Sequence, residues 1–255
     1  MGRMGSVERQ IKLQELLTGV DEFVNLSDLC RRLNASRSSL RRDLIELEQR
    51  GILRRVHGGA ISISQRDESM DYRKLASSRH EEKARIGKAT AALIENGQTV
   101  IMGGGSTTVE VARHLLDRPL QIITNSMPLA QVFWESRQVE VTLTGGYMYP
   151  RLGIQLGPIC ERMLNGVTAD VLVMGVRGIT QSGLSDGNSL VVGAIRTMIE
   201  VSSKVIIVAD HSKFGQVSML HVADLRDLDV IVSDTGLSPE FRNMVENSGV
   251  QCILA

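Results

Sequence analysis

The spacing of apolar and basic residues between Ser36 and Gly59, SRSSLRRDLIELEQRGILRRVHGG, leaves this segment few structures to choose from. Ser36 is placed to cap a helix, because its hydroxyl can accept a bond from a first-turn backbone N–H that has no helical partner. Leu40, Leu44 and Leu47 then recur at i, i+4 and i+7 as one apolar stripe. Arg37, Ser38, Ser39, Arg41 and Arg42 cluster at the amino end, where a recognition helix presents side chains to base edges and phosphates. Gly51 closes the helix, and residues 52–56, the turn His57-Gly58-Gly59 and residues 60–64 read as a two-stranded hairpin, in the position of a wing.

Upstream, residues 26–33 make a short amphipathic helix and Asn34-Ala35 a tight turn, which is helix–turn–helix spacing. Residues 7–17 carry Ile11, Leu13, Leu16 and Leu17, enough for a supporting first helix. An arginine-rich face is by itself only a solvated surface. Here the charge is concentrated: from Arg31 to His57 there are eight arginines against three acids, while the 255-residue chain has a net charge of zero. Arg37, Ser38, Ser39, Arg41, Arg42, Arg54, Arg55, His57 and Gly58 are therefore the candidate contacts to double-stranded operator DNA.

The run A-S-R-S-S-L-R-R-D-L followed by L-E-x-x-G-x-L-x-R-x-H-G-G-A resembles the amino-terminal domain of the DeoR family of bacterial transcription regulators. The likeness spans residues 7–61 and continues in a second domain. It implies a winged helix–turn–helix that reads an operator, usually as a repressor of a sugar or polyol catabolic operon. Residues 1–63 are read as this domain, residues 64–80 as a partly extended connection, and residues 81–255 as an effector-sensing and oligomerisation domain.

From Glu81 onward helices alternate with short, largely apolar β-rich runs, the pattern of a mainly parallel α/β sheet covered on both faces. The Gly-rich turn Gly103-Gly104-Gly105-Ser106-Thr107-Thr108 lies between a strand and a helix, so its N–H groups can converge on an anion at the helix start. Thr124-Asn125-Ser126, Thr144-Gly145-Gly146, Gly175-Val176-Arg177-Gly178 and Asp210-His211-Ser212-Lys213-Phe214-Gly215 also follow strands, where open α/β sheets place ligands. These turns resemble the DeoR effector domain, and D-H-S-K-F-G matches it without a change. That domain is similar in fold to ribose-5-phosphate isomerase and CoA transferases, and the resemblance implies a sensor of phosphorylated sugars or related metabolites.

The chain departs from the family where Asp is usual (Gly103), where Arg is usual (Tyr149) and where Glu and Lys are usual (Val191 and Ile195), while Arg177 replaces a small polar residue. The expected ligand is a small anion, a sugar acid or sugar phosphate, held by Gly103, Gly104, Gly105, Ser106, Thr107, Thr108, Asn125, Gly145 and Gly146 with Arg177 and Lys213 as cations. Alternatively, Arg177 pairs with an acid at the pocket rim such as Asp186. An isomerase with an appended DNA-binding domain is disfavoured, because proton shuttling needs a positioned base and the family-equivalent carboxylates are missing. A scaffold whose second domain only oligomerises is a third reading.

Cys30, Cys160 and Cys252 are isolated and odd in number, which argues against disulfides and structural zinc, and His57, His80, His114, His211 and His221 have no metal spacing. No cofactor, metal or catalytic residue is expected. No apolar run approaches the roughly 20 residues of a membrane helix, and Met1–Gln10 lacks a signal peptide's apolar core. A cytoplasmic homo-oligomer that binds operator DNA is the expectation.

Overall fold

The computed structural model describes residues 9–10, 12–13, 24–33, 35–49, 53–56, 59–62 and 71–255. The chain divides into two compact units, Met1–Asp71 and Tyr72–Ala255.

In the first unit residues 9–10 and 12–13 are helical (α1). Strand β1 (Val24–Asn25), helices α2 (Leu26–Leu33) and α3 (Arg37–Gln49), and strands β2 (Leu53–Val56) and β3 (Gly59–Ser62) follow. The Ala35 N–H donates to the Cys30 carbonyl at 3.1 Å and closes the turn between α2 and α3. Ser36 caps α3 by accepting from the Ser39 N–H at 3.2 Å. Leu40, Leu44 and Leu47 turn inward onto Leu13, Leu29 and Leu33, so the apolar stripe is the core of this unit. β2 and β3 form the antiparallel hairpin with Val56 opposite Gly59, and β1 pairs with the other edge of β3.

The second unit is built on a seven-stranded sheet in the order β15-β14-β12-β9-β4-β5-β6, parallel throughout. Its strands are β4 (Thr99–Met102), β5 (Leu120–Thr124), β6 (Val139–Leu143), β9 (Ala169–Gly175), β12 (Ser202–Val208), β14 (Val230–Ser233) and β15 (Gln251–Leu254). Alternation along each strand divides the core. Ile101, Ile123, Leu172, Met174 and Ile207 face one side, under α8 (Pro158–Leu164), α9 (Ser189–Glu200) and α10 (Pro239–Asn247). Val100, Met102, Ile122, Val173 and Val208 face the other, under α5 (His80–Ala91), α6 (Ser106–Arg113) and α7 (Met127–Phe133). The chain builds outward from β4 through β5 to β6, then returns to add β9 on the other side of β4. The order therefore reverses between β4 and β9, which is the switch point where open α/β sheets leave a crevice beyond their carboxyl ends. Among the described residues no helix is long and apolar enough to cross a membrane.

Three features differ from the sequence reading. Residues 72–77, read as part of an extended connection, form a helix, α4 (Tyr72–Ser77), in the second unit; residues 64–70 lie outside the described residues. Tyr72 packs against the core beneath and its N–H donates to the Arg151 carbonyl at 2.8 Å, while the Lys83 ammonium of α5 donates to the Leu75 and Ser78 carbonyls at the other end, so the partners that hold α4 lie outside it. A hairpin of β7 (Tyr147–Tyr149) and β8 (Ile154–Leu156) fills the span before α8. A small antiparallel sheet joins β10 (Gly178–Thr180), β11 (Gly183–Asp186) and β13 (Leu220–Ala223). Strands of three and four residues are too short to show an alternating pattern.

Candidate functional site

On α3 the inward leucines leave Arg37, Ser38, Arg41 and Arg42 exposed and Ser39 half-buried, so the five expected DNA-facing residues share the outer surface of one helix. The hydroxyls of Ser38 and Ser39 lie 3.0 and 2.9 Å from that of Ser36, a polar cluster at the helix start. Arg54 and Arg55 are on β2, paired with Ile61 and Ala60 of β3; His57 and Gly58 lie outside the described residues.

What aims α3 is a residue counted in the sequence only as charge. Asp43 is 2% exposed, and the Arg9 guanidinium grips it as a fork, Nε to Oδ2 at 2.5 Å and Nη2 to Oδ1 at 3.1 Å. The hydrogen bond from Arg9 to this carboxylate raises the arginine pKa further. One turn on, the Gln10 amide donates to Glu46 at 2.5 Å. The signal was available: Asp43 stands at i+3 from Leu40 and i−4 from Leu47, an inward position that a lone carboxylate cannot hold without a cation.

In the second unit, the loops after β4, β5 and β6 form one hydrogen-bonded group. The Gly104 N–H donates to Asn125 Oδ1 at 3.3 Å, Asn125 Nδ2 to the Gln155 carbonyl at 3.0 Å, and the Gly145 N–H to Gln155 Oε1 at 3.0 Å. Gln155 on β8, which sequence reasoning missed, therefore bridges Asn125 and Gly145. Gly104 is required by space, since a Cβ there would lie 2.2 Å from Ile154 Cγ2. Gly146 is required by conformation, with φ of +118° and the Leu156 carbonyl 2.6 Å from a Cβ.

Helix α6 begins at this group. Ser106, Thr107 and Thr108 are buried, yet no side chain caps their turn, whereas Ser126, Asn188 and Ser238 cap α7, α9 and α10. Unpaired first-turn N–H groups with the positive end of a helix dipole favour an anion. The wall behind Gly103 is apolar: a Cβ there would meet Met174 Cβ at 3.0 Å and Met198 Sδ at 3.8 Å, and Val191 is buried on the same side.

Arg177 is half-buried just beyond β9, across the switch point from Gly103. Its charge acts on Asp186 without an ion pair between them. Burial pushes the Asp186 carboxyl above the usual range, against the Asn188 N–H at 2.9 Å, the Arg177 charge and the Gly187 N–H, which pull it down.

Lys213 stands one strand further, after β12, and is not hydrogen-bonded into the group around Gly104. Its motif is largely a connector. Asp210, 2% exposed, accepts from the Ser212 N–H at 3.0 Å and pairs with Arg79 Nε at 3.3 Å. His211 holds Asp234 through its backbone N–H and its Nδ1, both at 2.8 Å. Phe214 packs on Phe241 with ring centroids 5.7 Å apart. Lys83 is buried beside Asp210 and Lys213; burial pushes its ammonium pKa down, and Asp210 opposes that shift.

Two family models match the chain: the DeoR-like helix-turn-helix domain over residues 9–66 and the DeoR C terminal sensor domain over residues 78–235. The transcriptional repressor AccR of Agrobacterium fabrum is 35% identical over 232 residues, covering 90% of each chain. The HTH-type transcriptional regulator GlpR of Haloferax volcanii is 32% identical over 96% of each. The HTH-type transcriptional repressor GlcR of Bacillus subtilis is 30% identical, covering 91% of this chain and 90% of that one. Ribose 5-phosphate isomerase A of Methanocaldococcus jannaschii superposes distantly, at TM-score 0.40 and 14% identity over 54% of this chain and 55% of that one. Matched in both units, the chain belongs to the DeoR family, transcriptional regulators and not enzymes, with a DNA-binding helix–turn–helix followed by an effector-sensing domain.

Proposed function

We propose that this regulator represses a carbohydrate or sugar-acid catabolic operon under the control of a small anionic metabolite. AccR and GlcR are both repressors, which supports the direction of control. The observation that carries the ligand class is the buried, uncapped first turn of α6 beside the β4/β9 switch point. Gly103, Gly104, Gly105, Ser106, Thr107 and Thr108 supply the cradle, Asn125, Gly145 and Gly146 its rim, and Arg177 and Lys213 the cations. A carboxylate suits Arg177 better than a bulky neutral group does, because a planar guanidinium can bind it with two parallel hydrogen bonds. The apolar wall of Met174, Met198 and Val191 favours a ligand whose other end is not charged. Operator DNA is contacted by Arg37, Ser38, Ser39, Arg41 and Arg42 of α3, with Arg54, Arg55, His57 and Gly58 from the wing.

A thermal-shift and calorimetry screen of sugar acids, sugar phosphates and neutral sugars tests the ligand class. A true ligand at 100 times its Kd adds about 2.7 kcal/mol of stability. A neutral sugar that binds at micromolar affinity while the anions do not would refute the anion reading.

A further inference from the structure

The sheet of the second unit has two edges, β15 and β6, and they are finished differently. β15 carries α10 beside it and keeps Cys252, Ile253 and Leu254 half-buried. On β6 only Val139 is buried, and Glu140, Val141, Thr142 and Leu143 are all exposed. The strand pairs with β5 at all five positions, so its other edge presents a straight row of backbone donors and acceptors. Soluble proteins blunt such edges with proline, bulges or lysines. β6 has none of these and a single charge, Glu140.

The side chains continue the pattern. Val139, Val141 and Leu143 share the face of Ile122, the side covered by α7. Helix α7 seals Val139 but leaves Val141 36% and Leu143 39% exposed, and Trp134 at its carboxyl end is 86% exposed. Tyr147 and Met148, just past the strand, are also exposed.

We infer that β6 is the site at which a second copy of this chain adds its own β6 antiparallel, about a two-fold axis at Val141, making one sheet across both copies. Two copies of one strand meeting about a two-fold must run antiparallel and use the same patch on each. Residues opposite each other must also share a face, which limits the axis to a residue and not to a gap between two. An axis at Glu140 sets two carboxylates against each other, which is unfavourable. An axis at Thr142 runs the pairing off the strand into the buried Thr144. An axis at Val141 pairs all five residues: Val139 with Leu143 of the other copy, Glu140 with Thr142, and Val141 with itself. It also brings the start of one β6 against the end of the other, so that Trp134 of each copy lies over the exposed Leu143 of its mate.

The test uses the full chain without DNA or ligand, in a Cys30→Ser, Cys252→Ser background. Val141→Cys is expected to form a covalent dimer on mild oxidation, because residues at the axis have Cα atoms about 4.5–5.5 Å apart, within disulfide range. A mixture of Glu140→Cys and Thr142→Cys chains should cross-link to each other, and Glu140→Cys alone should not. Val141→Lys should weaken the dimer by roughly 100-fold in analytical ultracentrifugation, through like charges at the axis. Trp134→Glu, at a residue outside the strand, provides a second variant that should weaken the dimer should Val141→Lys fail to fold. A monomer at all concentrations, or a dimer that tolerates the charged variants without any Val141 cross-link, would overturn the inference. Either result leaves the ligand and operator readings untouched, since neither molecule is present.

Discussion

The proposed anion rests most on Arg177, and a pH response on Asp186. The positions of Gly103, Val191 and Ile195 contribute no charge to the crevice, and the half-buried guanidinium beyond β9 acts on Asp186 without an ion pair between them. Arg177→Ala is expected to cost about 1.5–3 kcal/mol in affinity for an anionic ligand, the range for hydrogen bonds to charged groups. Operator affinity measured without ligand should not change; calorimetry giving equal anion affinity for both proteins would remove Arg177 from the site. Asp186 supplies a pH signature. Its folded pKa is raised, so the folded state holds its proton more tightly than the unfolded one, and stability is lost as pH rises from the unfolded value of 3.8 through the folded pKa. Asp186→Asn keeps an acceptor for the Asn188 N–H and removes the desolvated charge. Urea melts should find the variant more stable than wild type at neutral pH and equal to it below pH 3.8.

Helix α3 depends on a partner far away in sequence. Asp43→Ala would remove the buried carboxylate that the Arg9 fork holds, and is expected to cost the first unit about 1.5–3 kcal/mol and to weaken operator binding with it. Arg41→Ala and Arg42→Ala address the outer face instead. Each should cost roughly 1–3 kcal/mol if the residue reads a base, or reduce the salt slope of binding by about 1 if it meets only phosphate. Fluorescence anisotropy over a salt series separates the two, and an operator affinity unchanged by both would dismiss α3 as the recognition helix. The glycine turn behaves as an element too. Gly104→Ala should destabilise the second unit by about 1–3 kcal/mol because Ile154 Cγ2 stands in the way, and Ile154→Leu, which has no methyl branch on Cβ, should recover part of that loss.

For the molecule as a whole, the DNA-binding helix–turn–helix and the sensor sheet belong to two separate compact units of one chain. A helix–turn–helix usually meets two half-sites related by a two-fold. Residues 1–71 alone should therefore bind a full operator more weakly than the intact chain, and binding curves of equal midpoint would argue that the second unit contributes nothing to affinity. The reversal of strand order between β4 and β9 also has a molecular consequence: it brings the turns at Gly103 and Gly175, some 70 residues apart, to the two sides of one crevice.

Elements whose information is local were legible in the sequence. The Leu40, Leu44 and Leu47 stripe, the Ser36 cap, and the apolar runs at residues 120–124 and 230–233 are repeats within one window, and each became the helix, cap or strand that its period specifies. Contacts between residues that share no window emerged with the packing of the fold. Arg9 grips Asp43 across 34 residues, Gln155 joins Asn125 across 30, and Arg79 pairs with Asp210. Each of these satisfies a buried polar group, and the partner that satisfies it is set by which elements pack together, which no local period encodes.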